Sequence, residues 1–394
     1  MEMIGSILSF YYVPILVCTG SIGNILSVFV FFKTKLRKLS SSVYLAALAI
    51  SDTCFLFGLF AQWLNFVDVH IYNRDFFCQF FTYFSSLACF CSAWFVVAFT
   101  VERFIAVMYP LRRQTMCTVR RAKIVLFGLT LMGCLHCTPF WILSTPVYSP
   151  KLETTICDIK SEYKEYITLL NYWDTIIIFA VPFTTIAILN TFTGCTVWKF
   201  ATVRRSLTMQ KMKTQLTRDA LTSSTYRITS LKRQKSTCSH PSGQNNVSRL
   251  NCDITRKSRR RKITNSSQLK VTKMLLVVST VFVCLNLPSY ILRIKTFLET
   301  QTSANEKTTV VLQYIFQLLF ITNFGINFVL YCVSGQNFRK AVLSMFQRVS
   351  HRDGTTQVTV SEYYRNSGAT GMSTRRRMMT QHCWNEIHEM HLLK

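Results

Sequence analysis

Charge is what this sequence withholds over long distances. Seven runs, at about 7–32, 43–64, 78–101, 124–143, 175–198, 274–292 and 310–333, hold almost no Asp, Glu, Lys or Arg. The exception deep inside any of them is Asp52. A soluble helix keeps a polar face at helical spacing, and these runs have none, so a soluble globular protein is excluded. Uncharged runs of 18 or more residues read as membrane-spanning helices. Acidic residues are also scarce, 18 against 45 Lys and Arg in 394 residues, for a net charge of +27. The N-terminus has neither the basic start nor the small-residue cleavage site of a secretory leader, so the first run is expected to stay as a helix. No internal repeat is visible, which disfavours an inverted-repeat transporter.

The excess of basic residues invites a nucleic-acid reading, and their placement rejects it. With the N-terminus outside, all but seven of the 45 Lys and Arg residues fall on the inner side. That asymmetry is the positive-inside rule, and it sets the expected orientation: N-terminus extracellular, C-terminus cytoplasmic. A basic inner face also suits anionic membrane lipids. The cysteines give an independent check. Of 15, only Cys78 and Cys157 lie on the oxidising side, which makes one pair available for a disulfide. The sequons at Asn246 and Asn265 fall on the inner side, where they would not be glycosylated.

The expected organisation is an all-α membrane protein with a seven-helix bundle. A short extracellular segment over 1–7 precedes a transmembrane domain over 8–334. Within that domain, about 205–264 is polar, basic and aperiodic, and reads as a disordered inner loop. Residues 335–347 place Phe338, Ala341, Val342, Leu343 and Phe346 at helical spacing, as an amphipathic helix lying on the membrane surface does. The tail, 348–394, has a disordered composition.

The third run ends in Glu102-Arg103-Phe104. A flanking arginine that merely reaches for headgroups would not explain the acid beside it. Other runs carry Gly23-Asn24, Leu48-Ala49-Ile50-Ser51-Asp52, Pro182, Phe282 with Pro288, and Asn327-Phe328-Val329-Leu330-Tyr331, while Cys78 stands 25 residues before Arg103. Taken in order, these motifs resemble the rhodopsin-like (class A) G-protein-coupled receptors, across the whole transmembrane part. The resemblance implies that Glu102 holds Arg103 at rest and that Arg103, Phe104 and Tyr331 serve G-protein coupling. It makes Pro182 and Pro288 the kinks of helices five and six, with Phe282 below the second, and it pairs Cys78 with Cys157. A carboxylate at mid-membrane is expensive without partners. The family pattern supplies Asn24, Ser92, Asn323 and Asn327 around Asp52, which resembles the family's allosteric sodium site; no other cofactor is implied. Oxygen donors suit such a hard cation.

The pattern also departs from the family. Asn286 stands where a Trp is usual, Phe328 where a Pro is usual, Asn190 in place of a helix-five Tyr, and Leu129 or a neighbour in place of a helix-four Trp. The second acidic lock on helix six is absent, because its position is Gln268.

Ligand class is narrowed by two absences. Ile321 occupies the position of the retinal-binding lysine, and Ser85 that of the amine-binding aspartate. Around Cys157, residues 144–166 alternate in the manner of a β-hairpin lid. The expected ligand-binding residues are Gln62, Ser85, Cys89, Asn171, Tyr290, Arg293, Gln313 and Gln317, a polar and aromatic rim; Trp63 and Trp173 fit an interfacial aromatic belt equally well. The runs Leu285-Asn286-Leu287-Pro288-Ser289-Tyr290 and Asn327-Phe328 look like invertebrate neuropeptide receptors of the FMRFamide, myosuppressin and CNMamide group. That implies a short amidated peptide in a neuropeptide signalling pathway at the plasma membrane. A lipid or other small molecule is the alternative ligand.

The implied partners are a heterotrimeric G protein, receptor kinases and arrestin. Thr355, Thr356, Thr359 and Ser361 would form an acidic strip when phosphorylated, and the basic run 256–262 reads as a lipid and G-protein contact. No nucleic acid is implied. A channel would need a polar path across the bilayer, and one buried acid with scattered amides does not make one. An intramembrane enzyme would need paired catalytic groups. His136, the histidine deep in a helix, has no visible partner in the sequence.

Overall fold

The computed structural model describes residues 2–150, 154–229, 271–295 and 306–350. The chain divides into two units, Met1–Met345 and Phe346–Lys394, and the bundle lies in the first. Helix α1 covers Glu2–Lys33, α2 Ser40–Trp63 and α3 Phe77–Met108. Helix α4 covers Val119–Leu143. Helix α5 runs through Lys164–Asp174, a π-helical stretch at Thr175–Ala180 and Val181–Thr229. Helix α6 covers Val271–Lys295. Helix α7 is a broken span, Glu306–Thr322 and Asn327–Ser334, and α8 is Gln336–Ser350. Among the described residues six helices are long and apolar enough to cross a membrane, and the bent pair in α7 makes a seventh span.

Side chains on the outside of the bundle are as apolar as those inside it. Ile15, Phe127 and Leu135 are 63%, 73% and 71% exposed. In water such a surface would be a liability; against lipid tails it costs nothing. Polar groups go the other way: Asn24, Asp52, Ser92, Asn323 and Asn327 are all buried.

Local chemistry sets the ends. Thr118 caps α4 by accepting from the Arg121 amide, and Thr34 accepts from the Leu36 amide to start a short 3-10 turn after α1. Phe76, at φ 65°, sits at the start of α3. The Phe77 amide bonds the Asp75 carbonyl across it, which is the strained form of γ-turn. Strands β1 (Ser144–Ser149) and β2 (Thr154–Ile159) pair antiparallel between α4 and α5, as the alternation predicted. Cys157 on β2 is disulfide-bonded to Cys78 in the first turn of α3.

The break in α7 has no proline. The amides of Asn323, Phe324 and Gly325 bond three residues back instead of four, so the helix tightens, then turns by 61°. Gly325 at this break lies against Gly20 of α1. A Cβ on Gly20 would stand 2.8 Å from the Gly325 Cα, and a Cβ on Gly23 would stand 2.9 Å from the Phe328 Cβ. Small residues thus let α1 and α7 touch backbone to backbone, the usual device where no hydrophobic force drives helices together.

Three boundaries differ from the sequence reading. Residues 2–7, expected as an extracellular segment, begin α1. Residues 205–229, expected as part of a disordered inner loop, instead continue α5, which runs to Thr229. The stretch after Ala201 is rich in Lys, Arg, Met, Gln and Leu, which are good helix formers, and the helix already formed in the membrane nucleates it. The surface helix predicted at 335–347 occupies Gln336–Ser350. Residues 230–264, Gln268, the basic run 256–262 and the tail threonines lie outside the described residues.

Gly20→Ala should cost about 1–3 kcal/mol by overpacking the α1–α7 contact. Gly194→Ala, where a Cβ meets nothing within 4 Å, should leave the thermal midpoint of the purified protein unchanged or higher. An equal drop in both variants would refute the contact.

Candidate functional site

Three polar constellations interrupt the apolar bundle. The first closes the end of α3 away from the disulfide. Arg103 and Glu102 are 5% and 7% exposed and form an ion pair between neighbours. The Ser40 hydroxyl on α2 donates to the same Glu102 Oε1 at 2.8 Å, and the Cys117 thiol reaches the Glu102 carbonyl. The arginine is therefore held by its own helix, and its acid is held by α2. Arg103 Nε has no protein partner. In the adjoining loop, burial and then the Arg103 charge pull the Arg113 guanidinium below its usual range. Burial and then the Glu102 charge push the Cys117 thiol up.

Phe104 meets Tyr109 edge-on at 6.4 Å. Tyr331 is fully buried, with its ring against Phe31 and Phe338, and its hydroxyl has no partner. Phe282 packs on Phe183 at 5.5 Å, one residue past Pro182. The π-helical stretch Thr175–Ala180 stands immediately before Pro182. Asn286, in the usual Trp position below Pro288, turns back to donate to the Phe282 carbonyl at 2.6 Å. Asn190 and Ser279 bond each other at 2.8 Å, linking α5 to α6 where the family pattern has a Tyr.

The second constellation is the core around Asp52, which is completely buried. Ser92 Oγ donates to its Oδ1 at 2.8 Å, and Asn327 Nδ2 to its Oδ2 at 2.6 Å. Asn24 Nδ2 donates to the Phe324 carbonyl at 2.9 Å, beside the break in α7. All five residues expected there come from α1, α2, α3 and α7, and all are buried. Two amide atoms are left over, the acceptor Asn24 Oδ1 and the donor Asn323 Nδ2. A buried orphan oxygen in a cluster with one carboxylate and a hydroxyl fits a weakly held hard monovalent cation. It does not fit a transition metal: among the described residues no group of three or more His, Cys, Asp or Glu gathers.

The third constellation lies at the disulfide end. Tyr290, Arg293, Gln313 and Gln317, four of the expected ligand residues, line a cavity of about 370 Å³ between α6 and α7. Tyr290 stacks on Phe179 at 4.2 Å. Asn171, a fifth, accepts from Arg293 Nη2 at 3.1 Å from outside the cavity wall. Two others are not brought to it: Gln62 is exposed in the last turn of α2, and Ser85 faces Gly58 in the α2–α3 contact. Cys89 packs among the core side chains, against Tyr290 of the cavity wall.

Behind Arg293 lies a network that sequence reasoning missed. Asp174 Oδ2 is 3.6 Å from Arg293 Nη1, and its Oδ1 is 3.2 Å from His136 Nε2. His136 also packs on Phe90 at 5.3 Å. The histidine that had no visible partner therefore has one, and the acid joins α4, α5 and α6. Each residue lies on a different helix, and no spacing within one helix records which faces meet.

The sequence model of the rhodopsin family of seven-transmembrane receptors matches residues 23–331. The chain belongs to that family. Relatives of known name are distant. The thyrotropin-releasing hormone receptor of Gallus gallus is 25% identical over 335 residues, 83% of this chain and 75% of the relative. The cysteinyl leukotriene receptor 1 of Cavia porcellus is 26% identical over 196 residues, 49% of this chain and 57% of the relative. The thyrotropin-releasing hormone receptor of Homo sapiens is 32% identical over 128 residues, 32% and 31% of the two chains. This receptor thus spans about half of one such relative and three-quarters of another. These relatives are receptors, not enzymes, and one kind is named for a peptide hormone and the other for a lipid.

Truncating one member of the inner network strands the others. In a double-mutant cycle on the purified receptor, Asp174→Asn and Arg293→Gln should show a coupling of about 0.5–3 kcal/mol. His136→Phe, which keeps the ring contact with Phe90, should lower stability less than Asp174→Asn. Additive effects would mean that the 3.6 Å approach carries no interaction.

Proposed function

We propose that this receptor sits in the plasma membrane with its N-terminus outside and carries an extracellular peptide signal to a heterotrimeric G protein. The observation that carries the reading is the buried Arg103 at one end of a bundle whose other end opens a polar cavity. A guanidinium held by a neighbouring acid is stored charge. Opening the bundle would uncover it for an acceptor-rich partner, and the Ser40–Glu102 and Asn190–Ser279 bonds are what must give way. The basic residues gathered on the Arg103 side support that side as cytoplasmic.

The cavity favours a ligand with carbonyl or amide groups. Arg293 offers a fork for an oxygen, Gln313 and Gln317 offer paired donors and acceptors, and Tyr290 offers a ring face. A short C-terminally amidated peptide, as in the FMRFamide, myosuppressin and CNMamide group, meets all three. The resemblance to thyrotropin-releasing hormone receptors points the same way. The resemblance to cysteinyl leukotriene receptors supports an acidic lipid as the second reading, with Arg293 on its carboxylate. Ser85 and Gln62 enter this reading only if the bundle rearranges on binding.

Asp52, with Asn24, Ser92, Asn323 and Asn327, is proposed to hold a sodium ion that stabilises the resting bundle. The orphan Asn24 oxygen supports this reading. Receptor kinases and arrestin are proposed to act on the tail after α8.

A cell reporter screened with amidated peptides should return an agonist, and Arg103→Ala should abolish the agonist-driven nucleotide exchange with surface expression intact. Coupling unaffected by that change sinks the reading, and a response only to acidic lipids selects the second. Asp52→Asn should remove the sodium dependence of agonist binding; a wild-type dependence would dismiss the ion.

A further inference from the structure

One cleft serves none of the three constellations. It lies on the outward seam of α2, α3 and α4 and has a volume of about 310 Å³. Its walls include Ser51 and Cys54 on α2, Ala88 and Cys91 on α3, and Phe127 and Thr130 on α4, and no charged residue lines it. Ser51 stands eleven residues into α2, about 16 Å from that end at 1.5 Å per residue. That is the midplane of a hydrocarbon core ~30 Å thick. On the rim, Ile50 and Phe127 are 50% and 73% exposed on the outer surface of the bundle, so the cleft opens into the bilayer. Leu129 or a neighbour stands at the helix-four position that carries a Trp in the family pattern, and Leu129 packs inward against the core. The indole of α4, Trp141, packs on Phe76 and Tyr83 and does not line the cleft.

The hydroxyl hydrogens in the cleft are already committed. Ser51 Oγ donates to the Leu48 carbonyl at 2.9 Å, and Thr130 Oγ1 to the Leu126 carbonyl at 2.9 Å. Both hydroxyl hydrogens are spent on their own helices, so a ligand gains nothing by bringing an acceptor. A purely hydrocarbon segment at midplane depth meets the lining without loss. The bilayer supplies one, in the inner half of a phospholipid tail, whose headgroup stays at the interface. Ser51 and Cys91 are also the chain neighbours of Asp52 and Ser92, which share the buried hydrogen bond of the polar core. An occupant therefore presses on both helices of that bond.

We propose that this cleft binds one phospholipid acyl chain, which braces the α2–α3–α4 seam beside the Asp52–Ser92 bond. The test uses the full-length receptor in phosphatidylcholine nanodiscs, with a fraction of the lipid carrying a diazirine midway along one tail. Crosslinks mapped by mass spectrometry should concentrate on the cleft walls. Ala47→Phe and Thr130→Phe, which fill the seam, should lose most of them while crosslinks on the outer face of α1 persist. Crosslinks spread evenly over all outward faces, or unchanged in both filled variants, would overturn the proposal. So would their removal by equimolar cholesterol, which would assign the cleft to a sterol. Should the filled variants fail to fold, the wild-type chain decides through the crosslinks alone: those on Ser51, Cys54 and Thr130 should exceed those on the outer face of α1, and an equal yield overturns the assignment.

Discussion

Inside a bilayer a polar group has no solvent to fall back on, and this constraint organises the whole receptor. The buried acids each find a partner on another helix. Asp52 draws α2, α3 and α7 together through Ser92 and Asn327. Glu102 joins α3 to α2 through Ser40. Asp174 joins α5 to α4 and α6 through His136 and Arg293. The apolar side chains, equally content against lipid or protein, cannot choose among helix arrangements by burial alone. The polar contacts and the close backbone approaches do the choosing.

The same contacts are the exchangeable ones. A tightly interdigitated apolar core resists sliding, whereas a hydrogen bond of 2.8 Å between α5 and α6, or a hydroxyl on an acid, can be exchanged for another partner at small net cost. The bend in α7 is built without proline, from three-residue turns around Gly325. It brings Asn327 to Asp52 and leaves the Phe324 carbonyl for Asn24, so the irregular backbone is spent where polar groups are needed. Irregular backbone at membrane depth is tolerated where protein buries it, and Gly20 of α1 provides that cover.

Much of the fold was legible because membrane helices are written in a nearly binary code. The uncharged runs located seven spans, and residues such as Asp52, Asn24 and Asn327 were recognisable by standing where polarity is expensive. The four residues of the cavity wall were legible as polar side chains near the ends of apolar helices. His136 was not, because a lone histidine has no local signature of its partner, and Asp174 lies 38 residues away on another helix. Ser85 and Gln62 read as cavity residues from their depth, yet the rotation of α2 and α3 turns one into a helix contact and leaves the other at the surface.

By itself the sequence determined the number of spans, the gathering of the basic residues, the one disulfide pair available and the buried acid Asp52, since each follows from the cost of charge in hydrocarbon or the chemistry of the compartment; the partners of Asp52 came from the family resemblance. Tertiary structure alone decided which faces of the helices meet. That choice placed Asp174 between His136 and Arg293, pressed Gly20 on Gly325, carried α5 on to Thr229 and left the seam of α2, α3 and α4 open. Rotation about a helix axis moves every side chain without changing the hydropathy of the run, so its outcome is written only in contacts between residues far apart in the chain.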